Sequence, residues 1–268
     1  MRLYFVRHGQ SQNNEIYELS NGSKGRSEDP ELTALGRQQA QAAGRFLERI
    51  HSGNDQHRWD RRNAEGFRFT HIYSSLMLRA VESGSIIADT LGMPLITWKD
   101  IHEVGGVYLD DVETGKFIGQ PGKPRSYYEV HYPHLILPDW LDESGWWKRH
   151  REEKHEAPER ARLVAKELMA RHGGTQDQVM FVSHGDFYQR FLGVLLDLAP
   201  HPYFHLETGQ IDSDDESTEQ SAREKLGLPD NHWFIIHNAG VTRLDIQDSF
   251  IAIVYMNRTD FMTTEMIS

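Results

Sequence analysis

Two histidines in this chain stand in the same local setting. Val6-Arg7-His8-Gly9 closes the apolar run that begins at Arg2, and Val182-Ser183-His184-Gly185 closes the run that begins at Val179. Each run is short, rich in β-branched and aromatic residues and bounded by glycine, so each reads as a buried strand. In open α/β sheets the carboxyl end of a strand is where ligands bind. A histidine placed there can act as a nucleophile or a proton carrier near neutral pH. Arg7 adds a rigid fork of donors suited to phosphate or carboxylate. Gly9 is read as the residue that lets the chain turn sharply after His8. Two such turns can face each other across one pocket. The plainer reading is a pair of strand ends capped by solvated polar residues, and an isolated Arg-His-Gly favours it.

Two further segments bear on that choice. The strand-like Ile72-Tyr73 runs into Ser74-Ser75, a pair able to cap a helix, and Arg79 then falls in the first turns of that helix. The helix dipole favours an anion there. In Ile101-His102-Glu103-Val104-Gly105-Gly106 an acid sits beside a flexible glycine pair. Alone, Arg79 reads as a solvated helix arginine and Glu103 as a surface carboxylate.

Taken together and in order, these segments resemble the histidine phosphatase superfamily, also called the phosphoglycerate mutase-like family. Arg7-His8-Gly9-Gln10-Ser11-Gln12-Asn13-Asn14 is similar to its Arg-His-Gly-x-Ser/Thr-x-x-Asn signature. Leu32-Thr33-Ala34-Leu35-Gly36-Arg37-Gln38-Gln39-Ala40, Ser74-Ser75-Leu76-Met77-Leu78-Arg79-Ala80, Val182-Ser183-His184-Gly185 and Asn238-Ala239-Gly240-Val241-Thr242-Arg243-Leu244 resemble four more of its segments. The resemblance runs from residue 1 to about 257. It implies that His8 attacks phosphorus and forms a phosphohistidine, that Glu103 is the general acid and then the base, and that Arg7, Asn14, Arg79 and His184 hold the phosphoryl group. Of these, Glu103 falls in a loop that varies within the family.

The chemistry is consistent with those residue types. Phosphomonoester hydrolysis demands rate factors up to ~10²¹, and most of that must come from charge and donors fixed around the transferring group. Arg7, Arg79 and His184 are expected to supply charge and Asn14 a neutral donor. His8 must attack as neutral imidazole, and neighbouring arginines oppose its protonation. The scheme needs no metal and no cofactor. The chain has 15 histidines and 40 acids, so chance pairs are expected. His201 and His205 are flanked by Pro200 and Pro202, which argue against a regular helix, and no His-Glu-x-x-His occurs. His51, His57, His150, His155 and His172 lie in charged stretches and are expected to be solvated.

Composition fits a cytoplasmic enzyme. Cysteine is absent, which excludes disulfides and thiol catalysis. The opening residues read as a strand rather than a signal peptide, and no apolar run approaches the ~20 residues of a membrane helix. A net charge of −11 argues against nucleic acid or an anionic membrane as partner. It does not argue against a small phosphorylated metabolite, because screening over roughly 8 Å leaves a local cluster of cations dominant inside a pocket.

The fold class expected is α/β: a mainly parallel sheet with helices on both faces, phosphoglycerate mutase-like, in one domain over residues 1–268. Strands are expected at 2–6, 68–74, 95–98, 178–183, 233–237, 241–246 and 250–256, the last two a hairpin forming an antiparallel edge. Helices are expected at 33–51, with Thr33 near its N-cap, at 76–91, stopped by Gly92 and Pro94, at 159–171, and at 186–198.

After the third strand, residues 104–156 form an aromatic-rich insertion. It reads equally as a substrate-selecting lid and as a packed insertion or dimer contact, which leaves monomer and homodimer both open. Residues 207–224 read as an acidic, solvated loop.

The family's mutases carry Glu-Arg-His-Tyr-Gly where this chain has Glu103-Val104-Gly105-Gly106-Val107. The missing arginine favours release of phosphate to water over its retention, although Lys116, Lys123 or Arg125 can substitute. Gln10 replaces a common glutamate. The expected activity is therefore a metal-independent phosphomonoesterase. A phosphoglycerate mutase and a non-catalytic phosphate-binding protein are the alternatives.

Overall fold

The structure is a computed structural model that describes residues 1–20, 24–48, 63, 66–111, 114, 116–153, 155–196, 233–247 and 250–268. The acidic stretch 207–224 and His51, His57, His201 and His205 lie outside the described residues.

β1 (Arg2–Arg7) shows why this chain forms two cores. Side chains alternate along a strand. Leu3 and Phe5 enter one apolar cluster, while Tyr4 and Val6 enter the other. β7 (Gln178–Ser183) does the same, with Val179 and Phe181 on the first face and Met180 and Val182 on the second. Both strands are buried on both sides, as a central parallel pair requires. They pair in parallel from Arg2↔Gln178 to Arg7↔Ser183, so His8 and His184 leave neighbouring strands at one level.

β2 (His71–Ser74), β3 (Leu95–Thr97) and β6 (Leu135–Ile136) extend the parallel part. β8 (Val241–Gln247) and β9 (Phe250–Arg258) add the antiparallel edge. The strand order is β6-β3-β2-β7-β1-β8-β9. α2 (Ala34–Leu47) and α3 (Leu78–Leu91) pack together on the Tyr4–Val6 face. α5 (Glu156–His172) and α6 (Gly185–Leu195) pack together on the Leu3–Phe5 face. The chain thus leaves β1 and β7 toward opposite faces, which opens a crevice at their carboxyl ends. The α/β class, the parallel sheet and the antiparallel edge are as expected.

Several local expectations are corrected. Residues 233–237 form no strand, because their backbone groups are used by side chains. Gln189 bonds both the N–H and the carbonyl of Phe234, Arg7 takes the carbonyl of Ile236, and Asn257 Oδ1 takes the N–H of His237. The Ser74-Ser75 pair does not cap α3. Its N-cap is Met77, and the buried Asp29 accepts the Leu78 N–H at 2.9 Å instead. Thr33 does cap α2, accepting from Gly36 N at 3.0 Å. α1 (Gln12–Ser20) was not anticipated, since it buries no residue and carries no apolar stripe.

Gly9 serves close approach rather than a turn. A Cβ on it would stand 2.2 Å from the Gly36 carbonyl oxygen, and one on Gly36 would stand 2.1 Å from the Gln10 carbonyl oxygen. The two glycines seat the His8 loop directly on the start of α2.

The insertion contains the hairpin β4 (Tyr108–Asp111) and β5 (Lys116–Gly119), then α4 (Arg125–His131) and β6. Its aromatics divide. Tyr128, Trp146 and Trp147 are buried in the core, Trp140 is exposed, and Phe117 and Ile118 are exposed on the hairpin. β6 adds a strand to the main sheet. Gly105 and Glu152 tie the two ends of the segment together by backbone and side-chain hydrogen bonds.

Candidate active site

His8 is buried, and its two ring nitrogens have unlike partners. Nδ1 lies 2.7 Å from the carbonyl of Gly9, a pure acceptor, so Nδ1 carries the proton. Nε2 lies 3.1 Å from Nε of Arg79, a pure donor, so Nε2 presents its lone pair. Burial, then the charges of Arg79 and Arg7, hold the His8 pKa well below the ordinary histidine value. The imidazole is neutral, with one defined tautomer.

The position of His8 is fixed through its backbone. Its N–H donates to Ser183 O at 2.9 Å, and its carbonyl accepts from Ala239 N and from Asn238 Nδ2. Arg7 is held by its Nη1 on the carbonyl of Ile236 at 2.8 Å, while its Nε is buried without a partner among the described residues. Asn14 Oδ1 accepts from Ser11 N, Ser11 Oγ and Asn238 Nδ2, which leaves its amide nitrogen to donate elsewhere.

His184 lies with its ring centroid 5.1 Å from that of His8. Its Nε2 is 2.7 Å from Ser75 Oγ. That hydroxyl oxygen also accepts from Met77 N at 3.3 Å, so its proton is free to go to Nε2. Nδ1–H is then a buried donor with no partner among the described residues. Burial and then Arg79 press the His184 pKa well below the ordinary value. Burial and Arg79 thus oppose the charge expected of His184.

Glu103 joins the cluster from the segment that follows β3. Its Oε1 accepts from Val104 N and Phe187 N at 2.9 Å, and its Oε2 accepts from Asp186 N at 3.3 Å. It therefore sits at the open N-terminus of α6. Burial first, and Asp186 next, raise its pKa above the ordinary glutamate value, against the pull of Arg79. The segment carrying it is clamped by Arg160. That guanidinium grips Glu152 with two bonds of 2.6 and 2.8 Å and donates to the carbonyls of Asp100 and His102.

The structure thus brings His8, Arg7, Asn14, Arg79, Glu103 and His184 into one cluster. Arg79 is its electrostatic centre, since its charge bears on His8, His184 and Glu103 and on Asp29 behind it. Sequence reading missed Asp29, Asn238 as a side-chain contact, Ser75 as a histidine partner, and the Arg160–Glu152 clamp.

Of the cations expected to substitute for the missing arginine, Lys123 bears on Asp29. Arg125 is committed to Leu141 O, Pro138 O and Glu129, and Lys116 is exposed on β5. Arg26 and Arg151 stack on Tyr108, at 4.2 and 4.9 Å from its centroid. Arg26 lies close enough to Arg79 to oppose its charge. Gln10 bridges Glu18 and Thr33, each at 2.7 Å.

Comparison with known proteins gives the family and the fold. Residues 3–55 and 51–212 match the family profile "Histidine phosphatase superfamily (branch 1)". A 2,3-bisphosphoglycerate-dependent phosphoglycerate mutase 1 from Latilactobacillus sakei is 26% identical over 211 residues, covering 72% of this chain and 79% of that protein. YhfR of Bacillus stearothermophilus superposes with a TM-score of 0.54 at 18% identity, over 97% of this chain and 98% of that one. A mycobacterial glucosyl-3-phosphoglycerate phosphatase superposes with a TM-score of 0.50 at 18% identity, over 96% and 99%. The two superpositions are likenesses of fold, whereas the profile spans well over half the sequence. The chain belongs to the histidine phosphatase superfamily, branch 1.

Proposed function

We propose that the protein is a phosphomonoesterase that forms a phosphohistidine on His8 and needs no metal to do so. One observation carries this reading: His8 Nε2 presents a lone pair to Arg79 Nε–H at 3.1 Å while Nδ1–H is held by Gly9. A phosphoryl group drawn to Arg79 and Arg7 arrives next to an imidazole already in its attacking tautomer.

In the first step the Nε2–phosphorus bond forms and the ester P–O bond breaks. The departing alkoxide takes its proton from Glu103, whose raised pKa favours the protonated form. Arg7, Arg79, the Asn14 amide and the His184 Nδ1–H stabilise the charge on the non-bridging oxygens. In the second step the Glu103 carboxylate takes a proton from water, which attacks phosphorus and frees His8. The substrate is a small phosphorylated metabolite, and the Arg26–Tyr108–Arg151 stack is placed to read its remaining part.

That stack also supports a second reading. A mutase must retain its bisphosphorylated intermediate, which takes further cations. Arg26 and Arg151 beside Tyr108, and Lys123 near Asp29, can supply them. Phosphoglycerate mutase-type transfer is therefore the alternative. A non-catalytic phosphate-binding protein is a weaker one, because it would have no use for Glu103.

The deciding experiment measures phosphate release, with excess chelator, by wild type and His8→Ala across phosphorylated sugars, glycerates, nucleotides and an aryl phosphate. Release by wild type alone is expected. Equal rates from the two proteins would overturn the mechanism. Isomerisation of phosphoglycerates stimulated by 2,3-bisphosphoglycerate, without release, would establish the mutase. Tight phosphate binding with neither activity would leave the binding protein.

A further inference from the structure

A second cluster lies at the opposite, amino end of the parallel strands. His71 opens β2, His172 ends α5, and Asp177 directly precedes β7. One ring nitrogen of each histidine and one carboxylate oxygen of Asp177 all lie within 4.8 Å of one another. The two imidazole centroids are 4.6 Å apart. His172 was expected to be solvated but is buried, about 3% exposed, whereas His150 and His155 are exposed as expected.

The partners of the remaining nitrogens make this more than a crowded corner. His172 Nε2 is 3.1 Å from the Tyr73 hydroxyl, and His71 Nδ1 is 3.0 Å from Thr70 Oγ1. A hydroxyl therefore holds one nitrogen of each ring, leaving the other for a ligand bond. Metal-binding histidines are oriented in this way by outer partners. His172 Nδ1 now bonds Asp177 Oδ2 at 2.8 Å, so a cation between them would replace a single proton. Asp177 keeps a quarter of its side chain exposed, so ions and water can reach the site.

We infer that His71, His172 and Asp177 form a binding site for a borderline divalent cation of the zinc type, distinct from the phosphoryl pocket. Two imidazoles and one carboxylate are a donor set that suits zinc and its late first-row neighbours and discriminates against magnesium or calcium. Water completes the coordination. When the metal displaces the proton from His172 Nδ1, a neutral ring carries its proton on Nε2, where the Tyr73 oxygen accepts it. The bound ion would join the start of β2, the end of α5 and the entry to β7, three elements that are otherwise linked here only by hydrogen bonds and packing. The site is structural: it ties down the strand whose other end delivers Ser75 to His184.

The test is titration of the full chain with Zn²⁺ alone, wild type against His71→Ala and Asp177→Asn, both changes at partly exposed positions that the core tolerates. Each variant is expected to bind one equivalent fewer and to lose the rise in Tm that Zn²⁺ gives wild type. Co²⁺ should produce tetrahedral ligand-field bands in wild type that are missing from His71→Ala. Tyr73→Phe keeps the ring and removes the outer hydroxyl, and should weaken binding by about 10–100-fold. Identical stoichiometry, Tm response and Co²⁺ spectrum in wild type and both ligand variants would overturn the inference. So would a preference for Mg²⁺ over Zn²⁺ at this site.

Discussion

The turns after β1 and β7 are written in nearly the same residues, yet they place their histidines in different chemical states. After β1, Gly9 and Arg79 clamp the His8 ring between an acceptor and a donor, which fixes a lone pair on Nε2. After β7, α6 begins at once with Gly185, and Ser75 takes His184 Nε2, leaving Nδ1–H as the open position. One turn presents a lone pair and the other an N–H donor. The residue types of the two tetrapeptides do not carry most of the difference. It comes from what β2 and α3 bring across the crevice, a serine to one ring and an arginine to the other.

The comparison breaks most sharply at His8. His8→Gln should lose on the order of 10⁴–10⁶ in turnover, whereas His184→Gln should lose about 10²–10³, the cost of one charge-stabilising donor. Mixtures with labelled substrate quenched in alkaline detergent should contain an alkali-stable, acid-labile phosphoenzyme for His184→Gln and none for His8→Gln. A phosphoenzyme in the His8 variant would mean that the two roles have been assigned to the wrong turns.

Glu103 comes next, because the proposed mechanism uses it in both steps. Glu103→Gln should cost about 10²–10⁴, and more for an alkyl ester than for an aryl phosphate, whose leaving group needs little protonation. Equal losses on the two substrates would remove Glu103 from the role of acid.

The pH profile sharpens the same point. In the proposed mechanism His8 attacks as neutral imidazole, and its pKa lies well below the ordinary histidine value, so the acid limb of kcat/KM should fall below pH ~6.5. Glu103 must be protonated, and its pKa is raised, so the alkaline limb should lie above pH ~4.5 and vanish in Glu103→Gln. Arg79→Gln removes the nearest charge opposing protonation of His8, and should move the acid limb to higher pH as well as lowering the rate.

What could be read from the chain beforehand follows from how local each feature is. β1 and β7 are legible because an apolar run bounded by glycine has few other readings, and Gly92 stops α3 in the left-handed conformation its type favours. α1 is illegible because a polar surface helix carries no periodic apolar signal. The segment 233–237 has strand-like residues, yet Arg7 and Gln189 claim its backbone from far away in sequence. Asp29 and Ser75 were beyond reach for the same reason. Asp29 meets Leu78 across 49 positions, and Ser75 meets His184 across 109. Gly9 was read correctly as necessary but for the wrong reason, since its requirement is set by Gly36 on another element.

Asp29 gives the smallest and most specific test of how Arg79 comes to lie against His8. It is buried, it takes the first free N–H of α3, and its second oxygen has no partner among the described residues. Burial raises its pKa to about 6, against the pull of Arg79. Between the ordinary value and about 6 the folded protein holds a proton that the unfolded chain has released. Stability from this group is therefore lost as pH rises through that window, and the ionised carboxylate costs about 3 kcal/mol near neutral pH. Asp29→Asn keeps an oxygen for the Leu78 N–H and removes the charge. It should exceed wild type in stability by up to about 3 kcal/mol near neutral pH, with the gap closing toward pH ~4. Urea unfolding of both proteins across that range measures this directly. Its activity should fall, because Arg79 loses the carboxylate behind it and is freer to leave His8. A variant less stable than wild type at neutral pH would show that attraction between Asp29 and Arg79 outweighs the cost of burying the carboxylate.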